Sequence, residues 1–401
     1  MIAGIGRRVS VVASYALSHF THRNPRLWVF GNQRGFRDNP RYLAEHIAHS
    51  YPDLEVWWIA RTDDEAKAAR EAGLHVAMRG RGHAGARIQR HAGAAFVSNG
   101  FADLEPAHLG GAFVVDLRHG QGTKKILLAM PDPRLRDRSP IVRGVARLRR
   151  WYIRTRLAQI DMIIAPGELE RERYVTAFGG SPARIRVLGS PRFDVIHGGE
   201  AFERVAGGNL RHELGLAASD QVILWLPTWR DAGDAWVPAL DPALLDRGLH
   251  GTSGLLLVKP HPYSDHAAFA DRLPIHPRVR LLTEDEVDVN CLLRVADVLV
   301  TDYSSAVFDY ALLERPIHFF VPDLDEYRGG EGLQPEFEAL LRDHAHRDWP
   351  ALFAEMAESL RGSAEPGLAR RIRMESRNAD TPGSNDRITK AVLSSLDLLP
   401  S

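Results

Sequence analysis

The chain has 401 residues, more than one ordinary core holds and enough for two domains. Its 51 lysines and arginines balance 51 aspartates and glutamates, which argues against a dedicated nucleic-acid binder. Cys291 is the only cysteine, so neither an internal disulfide nor a cysteine-held metal can form, and both facts suit a reducing cytoplasm.

In chain order, Arg7 and Arg8 precede an apolar run from Val9 to Leu17. No small-residue cleavage site follows, and the run is shorter than the roughly 20 apolar residues that span a bilayer. Residues 1–24 are therefore expected to form a helix, packed on the first domain or lying in a membrane interface. Apolar strands then alternate with helical stretches. The first-half candidates are Trp28–Phe30, Val56–Ile59, Ala94–Val97, Phe113–Val115, Met162–Ala165 and Ile185–Leu188. Those in the second half are Val222–Leu226, Leu255–Val258, Val279–Leu282, Val298–Thr301 and Ile317–Val321. Short aliphatic runs bounded by Gly, Pro or Asp read as buried parallel strands, and their alternation with helices predicts a doubly wound sheet. The pattern occurs twice, broken by a polar, Gly-containing stretch near Gly198–Asn209. The fold expected is α/β and GT-B-like: two Rossmann-like domains, 25–200 and 205–380, facing a central cleft, with a closing helix in 381–401.

One segment interrupts the alternation. Residues 134–156 carry nine arginines, among them Arg147, Arg149, Arg150 and Arg154, interleaved with Ile141, Val145, Leu148, Trp151 and Tyr152. This is either a solvated helix or a basic amphipathic surface for an anionic membrane, and Trp151 and Tyr152 suit the interface.

Four motifs at strand ends carry candidate chemistry. Strand Val298–Thr301 runs into Asp302-Tyr303-Ser304-Ser305, where Ser304 or Ser305 can cap the helix that follows and its free N–H groups can hold a phosphate. Strand Leu255–Val258 runs into Lys259-Pro260-His261-Pro262, where two prolines fix the loop and Lys259 and a protonated His261 can neutralise phosphate. Strand Val222–Leu226 ends in Pro227-Thr228-Trp229-Arg230-Asp231, where Arg230 offers a planar fork for phosphate or pairs with Asp231. In the first half, His119-Gly120 and Lys124 leave strand Phe113–Val115 through a Gly-rich turn that is not a P-loop, and His119 is a candidate base.

Taken in this order and spacing, these motifs resemble the CDP-glycerol glycerophosphotransferase family of teichoic acid primases and polymerases. Asp288–Leu293, Gly35 with Asp38-Asn39-Pro40, Gly189–Asp194, Arg315-Pro316-Ile317 and Asp323–Tyr327 support the likeness, which spans Trp28 to the last helix. Two departures stand out. Arg118 occupies the place where the family has Trp before His-Gly, and Gln121-Gly122-Thr123-Lys124 replaces Thr-Pro-Leu-Lys.

The resemblance implies a transferase that moves glycerol phosphate or a similar polyol phosphate from a CDP-alcohol donor to a lipid-linked saccharide or polymer acceptor. It implies release of CMP, no cofactor, no metal and no nucleic-acid partner. Arg230, Lys259, His261, Thr301, Ser304 and Ser305 would hold the donor, with Lys124 beside them. Asp309 would reach the ribose or simply face solvent. His119 is the implied base and His261 the donor ligand, although the opposite assignment stays open. Asp323-Leu324-Asp325 reads as either a metal-binding Asp-x-Asp or a structural loop. The chain length is nearer the single-addition primases than the longer polymerases. The expected location is cytoplasmic, at the inner face of the plasma membrane. A nucleotide-sugar glycosyltransferase of the same fold, and a donor-binding protein without turnover, remain as alternatives.

Overall fold

The computed structural model describes residues 14–401 except 82, 231–232, 234–235, 283–286, 329–332, 363–366, 380 and 400–401. Arg7, Arg8 and most of the N-terminal apolar run lie outside the described residues. Residues 14–18 are helical.

The chain divides into two compact units. The first comprises Met1–His119, Leu127–Asp194 and Asn378–Ser401, and the second Gly120–Ile126 and Val195–Arg377. The passage between them lies inside helix Pro191–His197, a few residues before the polar stretch expected to mark it.

The first unit holds strands β1 (Asn24–Phe30), β2 (Glu55–Ala60), β3 (His75–Met78), β4 (Ala92–Val97), β5 (Phe113–Asp116), β6 (Met162–Ala165) and β7 (Ile185–Val187). They form one parallel sheet ordered β3-β2-β1-β4-β5-β6-β7. The second unit holds β8 (Gln221–Leu226), β9 (Gly254–Val258), β10 (Val279–Leu281), β11 (Val298–Thr301), β12 (Ile317–Phe320) and β13 (Ala345–His346), ordered β10-β9-β8-β11-β12-β13 and again parallel. In each sheet the order reverses at the first strand of the unit, between β1 and β4 and between β8 and β11. In doubly wound sheets, ligands bind beyond the carboxyl ends at such a switch point. Strands β3 and β13 have no counterpart among the expected strands. Both lie at a sheet edge, where exposed residues such as His75 interrupt the apolar run that marks an inner strand.

Each sheet carries its own core. Trp28, Phe30, Trp58 and Phe96 pack in the first unit together with Ile388, Val392 and Leu393 of the last helix. That helix, Ser384–Ser395, starts on Asp194, whose carboxylate accepts from the N–H groups of Gly383, Ser384 and Asn385. Its apolar face explains why the chain returns to the first unit to end. In the second unit Trp225 stands edge-on to Trp349, with ring centroids 5.1 Å apart, among Phe269, Phe320 and Phe353.

Candidate active site

The β8/β11 switch point is held by one buried carboxylate. Asp302, just past β11, accepts from Thr228 N at 3.0 and 2.9 Å and from Thr228 Oγ1 at 2.6 Å. It also accepts from Tyr303 N at 2.6 Å and from Arg230 Nη2 at 2.8 Å. These bonds fasten the loop after β8 to the loop after β11. Thr301, Ser304 and Ser305 on either side carry the recognisable motif and Asp302 does not, although an Asp at a strand end before a turn is the available signal.

Arg230 corrects an expectation. Its guanidinium is not a free fork: Nε donates to Asp323 at 2.8 Å, Nη2 to Asp302 at 2.8 Å and Nη1 to the Thr228 carbonyl. The side chain is buried and lies over Trp236, Tyr303 and Tyr327, with 4.1 Å to the Trp236 ring centre. Burial works against its charge, but Asp302 and Asp323 outweigh it and hold the guanidinium firmly protonated. Asp323 is thereby given a structural role, and Asp325 pairs with Arg347 at the surface. Tyr303 and Tyr327 stack with centroids 3.5 Å apart, and the Lys124 ammonium sits 5.2 Å over Tyr327. Lys124 thus joins the rim of this cluster by way of the Gly120–Ile126 segment, which Thr123 and Lys124 anchor to Gln334 and Leu333.

The remaining donor candidates separate into two groups. Thr301 is fully buried and its hydroxyl donates to the Leu226 carbonyl at 2.8 Å, so it ties β11 to β8 and cannot reach a ligand. Asp309 is buried too, contrary to the solvent-facing alternative. Ser304 and Ser305 are partly exposed at the turn. Of the two serines expected to cap the helix, Ser305 forms no side-chain cap. Instead Ser304 Oγ accepts from Ala306 N at 3.2 Å, because Ser305 itself already has helical backbone angles. A glycine leaves room here: a Cβ on Gly120 would lie 2.9 Å from Ser305 Oγ. After β9, Lys259 N–H donates to the Trp225 carbonyl and His261 Nδ1 accepts from Tyr263 N at 3.2 Å, which leaves His261 Nε2 as the donor. The exposed rings of Trp229 and Tyr263 stand beside it, with His261 and Tyr263 centroids 5.2 Å apart.

In the first unit, His119 ends the loop after β5. Its Nδ1 meets the Ser98 carbonyl at 3.3 Å, so Nδ1 carries the proton and Nε2 is the basic atom. His119 keeps solvent access, yet burial among its neighbours and then the charge of Arg118 lower its imidazole to about 4. Asn39 steadies the loop. It donates to the Arg118 carbonyl at 2.7 Å, while its Oδ1 accepts from Ser190 Oγ and Arg192 N. Two of the supporting motifs, Asp38-Asn39-Pro40 and Gly189–Asp194, therefore act as posts for the His119 turn and for the last helix.

The basic segment forms helix Pro140–Leu157. Ala146 and Leu157 are buried, whereas Ile141, Val145, Leu148, Trp151 and Tyr152 are exposed. Positions 141, 145, 148 and 152 share one side of a helix, so an apolar stripe faces outward. Arg147, Arg149 and Arg154 are exposed, while Arg150 is partly used in holding the Leu128 carbonyl at 2.7 Å. Among the described residues, no helix is long and apolar enough to cross a membrane.

With this geometry in place, comparison with known proteins settles the family. The profile of the CDP-glycerol:poly(glycerophosphate) glycerophosphotransferase family matches residues 11–394. The chain belongs to that family. Within this glycerophosphotransferase family it is similar to the teichoic acid poly(glycerol phosphate) polymerase of Staphylococcus epidermidis, with 26% identity over 74% of this chain and 40% of that protein. It is also similar to the teichoic acid ribitol-phosphate primase of Bacillus spizizenii, with 29% identity over 48% of this chain and 49% of that protein. The matches thus span less than half the length of these relatives. Among solved structures, the wall teichoic acid polymerase TagF aligns with a TM-score of 0.74 and 20% identity over 99% of this chain and 96% of that one. That likeness establishes the GT-B-like fold expected from the strand pattern.

Proposed function

We propose that this glycerophosphotransferase family member transfers a polyol phosphate from a CDP-alcohol to a lipid-linked saccharide or polymer acceptor, releasing CMP during cell-surface polymer synthesis. The observation that carries the reading is the family match together with the gathering of Lys259, His261, Ser304 and Ser305 on the loops that end β9 and β11, around the second unit's switch point. Lys259, His261 and the serine hydroxyls bind the pyrophosphate, and Lys124 lies at the rim. Arg230 and Asp302 act as positioning residues that set the loops.

Transfer is a displacement at the phosphorus that bears the alcohol. The acceptor oxygen forms a new P–O bond as the bond to the bridging pyrophosphate oxygen breaks. CMP departs with that electron pair as a stable anion, and the acceptor proton passes to His119 Nε2. A loose transition state of this kind needs alignment and charge neutralisation more than covalent help.

The outward apolar stripe and exposed arginines of helix Pro140–Leu157 support its role as the contact with an anionic membrane, which brings the protein to the inner face of the plasma membrane. The test is CMP release from CDP-glycerol and CDP-ribitol, with a lipid-linked acceptor, against UDP- and GDP-sugars. Acceptor-dependent CMP release is expected. Turnover of a UDP- or GDP-sugar without CDP-alcohol turnover overturns the reading in favour of a glycosyltransferase.

A further inference from the structure

The edge of the second unit's sheet carries a cluster that the transferase reading does not use. His318 lies on β12, His346 on β13 and Glu355 on helix Trp349–Leu360. Phe320 pairs with His346, so His318 and His346, two positions apart in register, point to the same face of the sheet. One donor atom from each of His318, His346 and Glu355 lies within 4.8 Å of the others. Glu355 Oε2 is 3.4 Å from His346 Nε2 and 4.0 Å from His318 Nδ1. Ligands about 2.0–2.2 Å from a tetrahedral zinc ion stand about 3.4 Å apart, so the spacing closes onto an ion with small side-chain movement.

The orientation of His318 is set from behind. Ser359 Oγ donates to the Glu355 carbonyl at 3.3 Å and lies 3.0 Å from His318 Nε2. The serine is therefore the acceptor for Nε2–H, and the free lone pair falls on Nδ1, the atom that faces Glu355. A second hydrogen bond that fixes the tautomer of a ligating histidine is the usual support of a metal site. Both rings are buried, which favours the uncharged form that binds metals. They line a cavity of about 280 Å³ into which His344 and Glu358 also open, with room for a fourth ligand or water.

We propose that His318, His346 and Glu355 bind a divalent transition metal of the zinc class. Two neutral imidazoles and one carboxylate suit zinc, cobalt or nickel better than magnesium or calcium, which prefer oxygen ligands. The ion would clamp edge strand β13 and helix Trp349–Leu360 onto β12. The site is independent of the transferase reading.

The test uses the full-length chain stripped with chelator and dialysed. Titration with zinc by calorimetry, and with cobalt by visible absorption, is expected to give one ion per chain and a d–d band of four-coordinate type. Glu355→Gln, at an exposed position that cannot disturb the core, should weaken zinc binding at least tenfold, and His318→Asn and His346→Asn should do the same. Zinc should raise the midpoint of thermal unfolding in the parent and not in Glu355→Gln. Binding of less than one ion, or equal affinity in Glu355→Gln and the parent, overturns the proposal and leaves two buried histidines, with His318 held by Ser359. Should the histidine variants fail to fold, Glu355→Gln alone decides.

Discussion

Replacing Arg230 with Ala separates a residue that holds the site from one that binds the donor. The guanidinium satisfies Asp302 and Asp323 and fills a slot between Trp236, Tyr303 and Tyr327. Its removal leaves two buried carboxylates facing each other without a cation. Breaking a buried pair in this way costs about 3–5 kcal/mol, against about 0–1 kcal/mol for an exposed one. With a urea slope of about 2 kcal/mol/M for a unit of this size, the second unit's midpoint should fall by about 1.5–2.5 M. Hydrogen exchange of the β8 and β11 amides along a urea series reads that unit alone, and donor calorimetry well below the midpoint reads binding. Arg230→Lys restores charge without the planar fork and should recover only part of the loss. An unchanged midpoint in Arg230→Ala, with donor affinity lowered tenfold or more, refutes this reasoning and makes Arg230 a phosphate ligand.

Asp194→Ala removes the carboxylate that caps helix Ser384–Ser395, and the first unit should lose about 1–3 kcal/mol, read as a lower denaturation midpoint with donor binding by the second unit unchanged. His119 has a depressed pKa, so its base form persists until pH falls through about 4, and kcat/KM should lose activity on the acid side near that value rather than near 6.5. His119→Gln should lower kcat by about 100-fold or more, and a smaller loss would assign the proton to another group. CMP release should persist in EDTA, because Lys259, His261 and N–H donors neutralise the phosphates, whereas loss restored by magnesium would implicate a donor-site metal. Arg147, Arg149 and Arg154 changed together to Gln should abolish salt-sensitive sedimentation with anionic vesicles, and retention equal to the parent would leave helix Pro140–Leu157 as a solvated element.

The inner strands are legible in the sequence because they are continuous aliphatic runs, and β6 and β11 begin and end where the runs do. Strands β3 and β13 are hidden because an edge strand needs only one apolar face. Side-chain roles are harder to read than side-chain positions. Thr301, Asp302, Ser304 and Ser305 fall within five residues, yet two are locked into the sheet ends and two stand at the turn. Strand alternation and the twist of the switch point decide which is which, and both depend on β8, some seventy-five residues earlier in the chain. The role of Arg230 is obscured for the same reason. Its partners Asp302 and Asp323 are 72 and 93 residues away, whereas the neighbour that sequence offers, Asp231, lies outside the described residues.

The departure at Arg118 bears on the chemistry. The backbone there is left-handed, with φ of 54°, and the guanidinium lies over the rings of Tyr174 and Phe178 while its Nη1 reaches buried Asp116 at 3.5 Å. A flat group is what the pocket accepts, so a planar cation can replace the indole that the family resemblance leads one to expect. The exchange is not neutral for the next residue. Arg118 is the second largest cause, after burial, of the low pKa of His119. Arginine at this place therefore weakens the candidate base in proton affinity and keeps it unprotonated at lower pH. An Arg118→Trp change should move His119 back toward its ordinary range, but it leaves Asp116 buried without its cation. Because that orphaned carboxylate is costly, Asp116→Asn is the substitution that should accompany it.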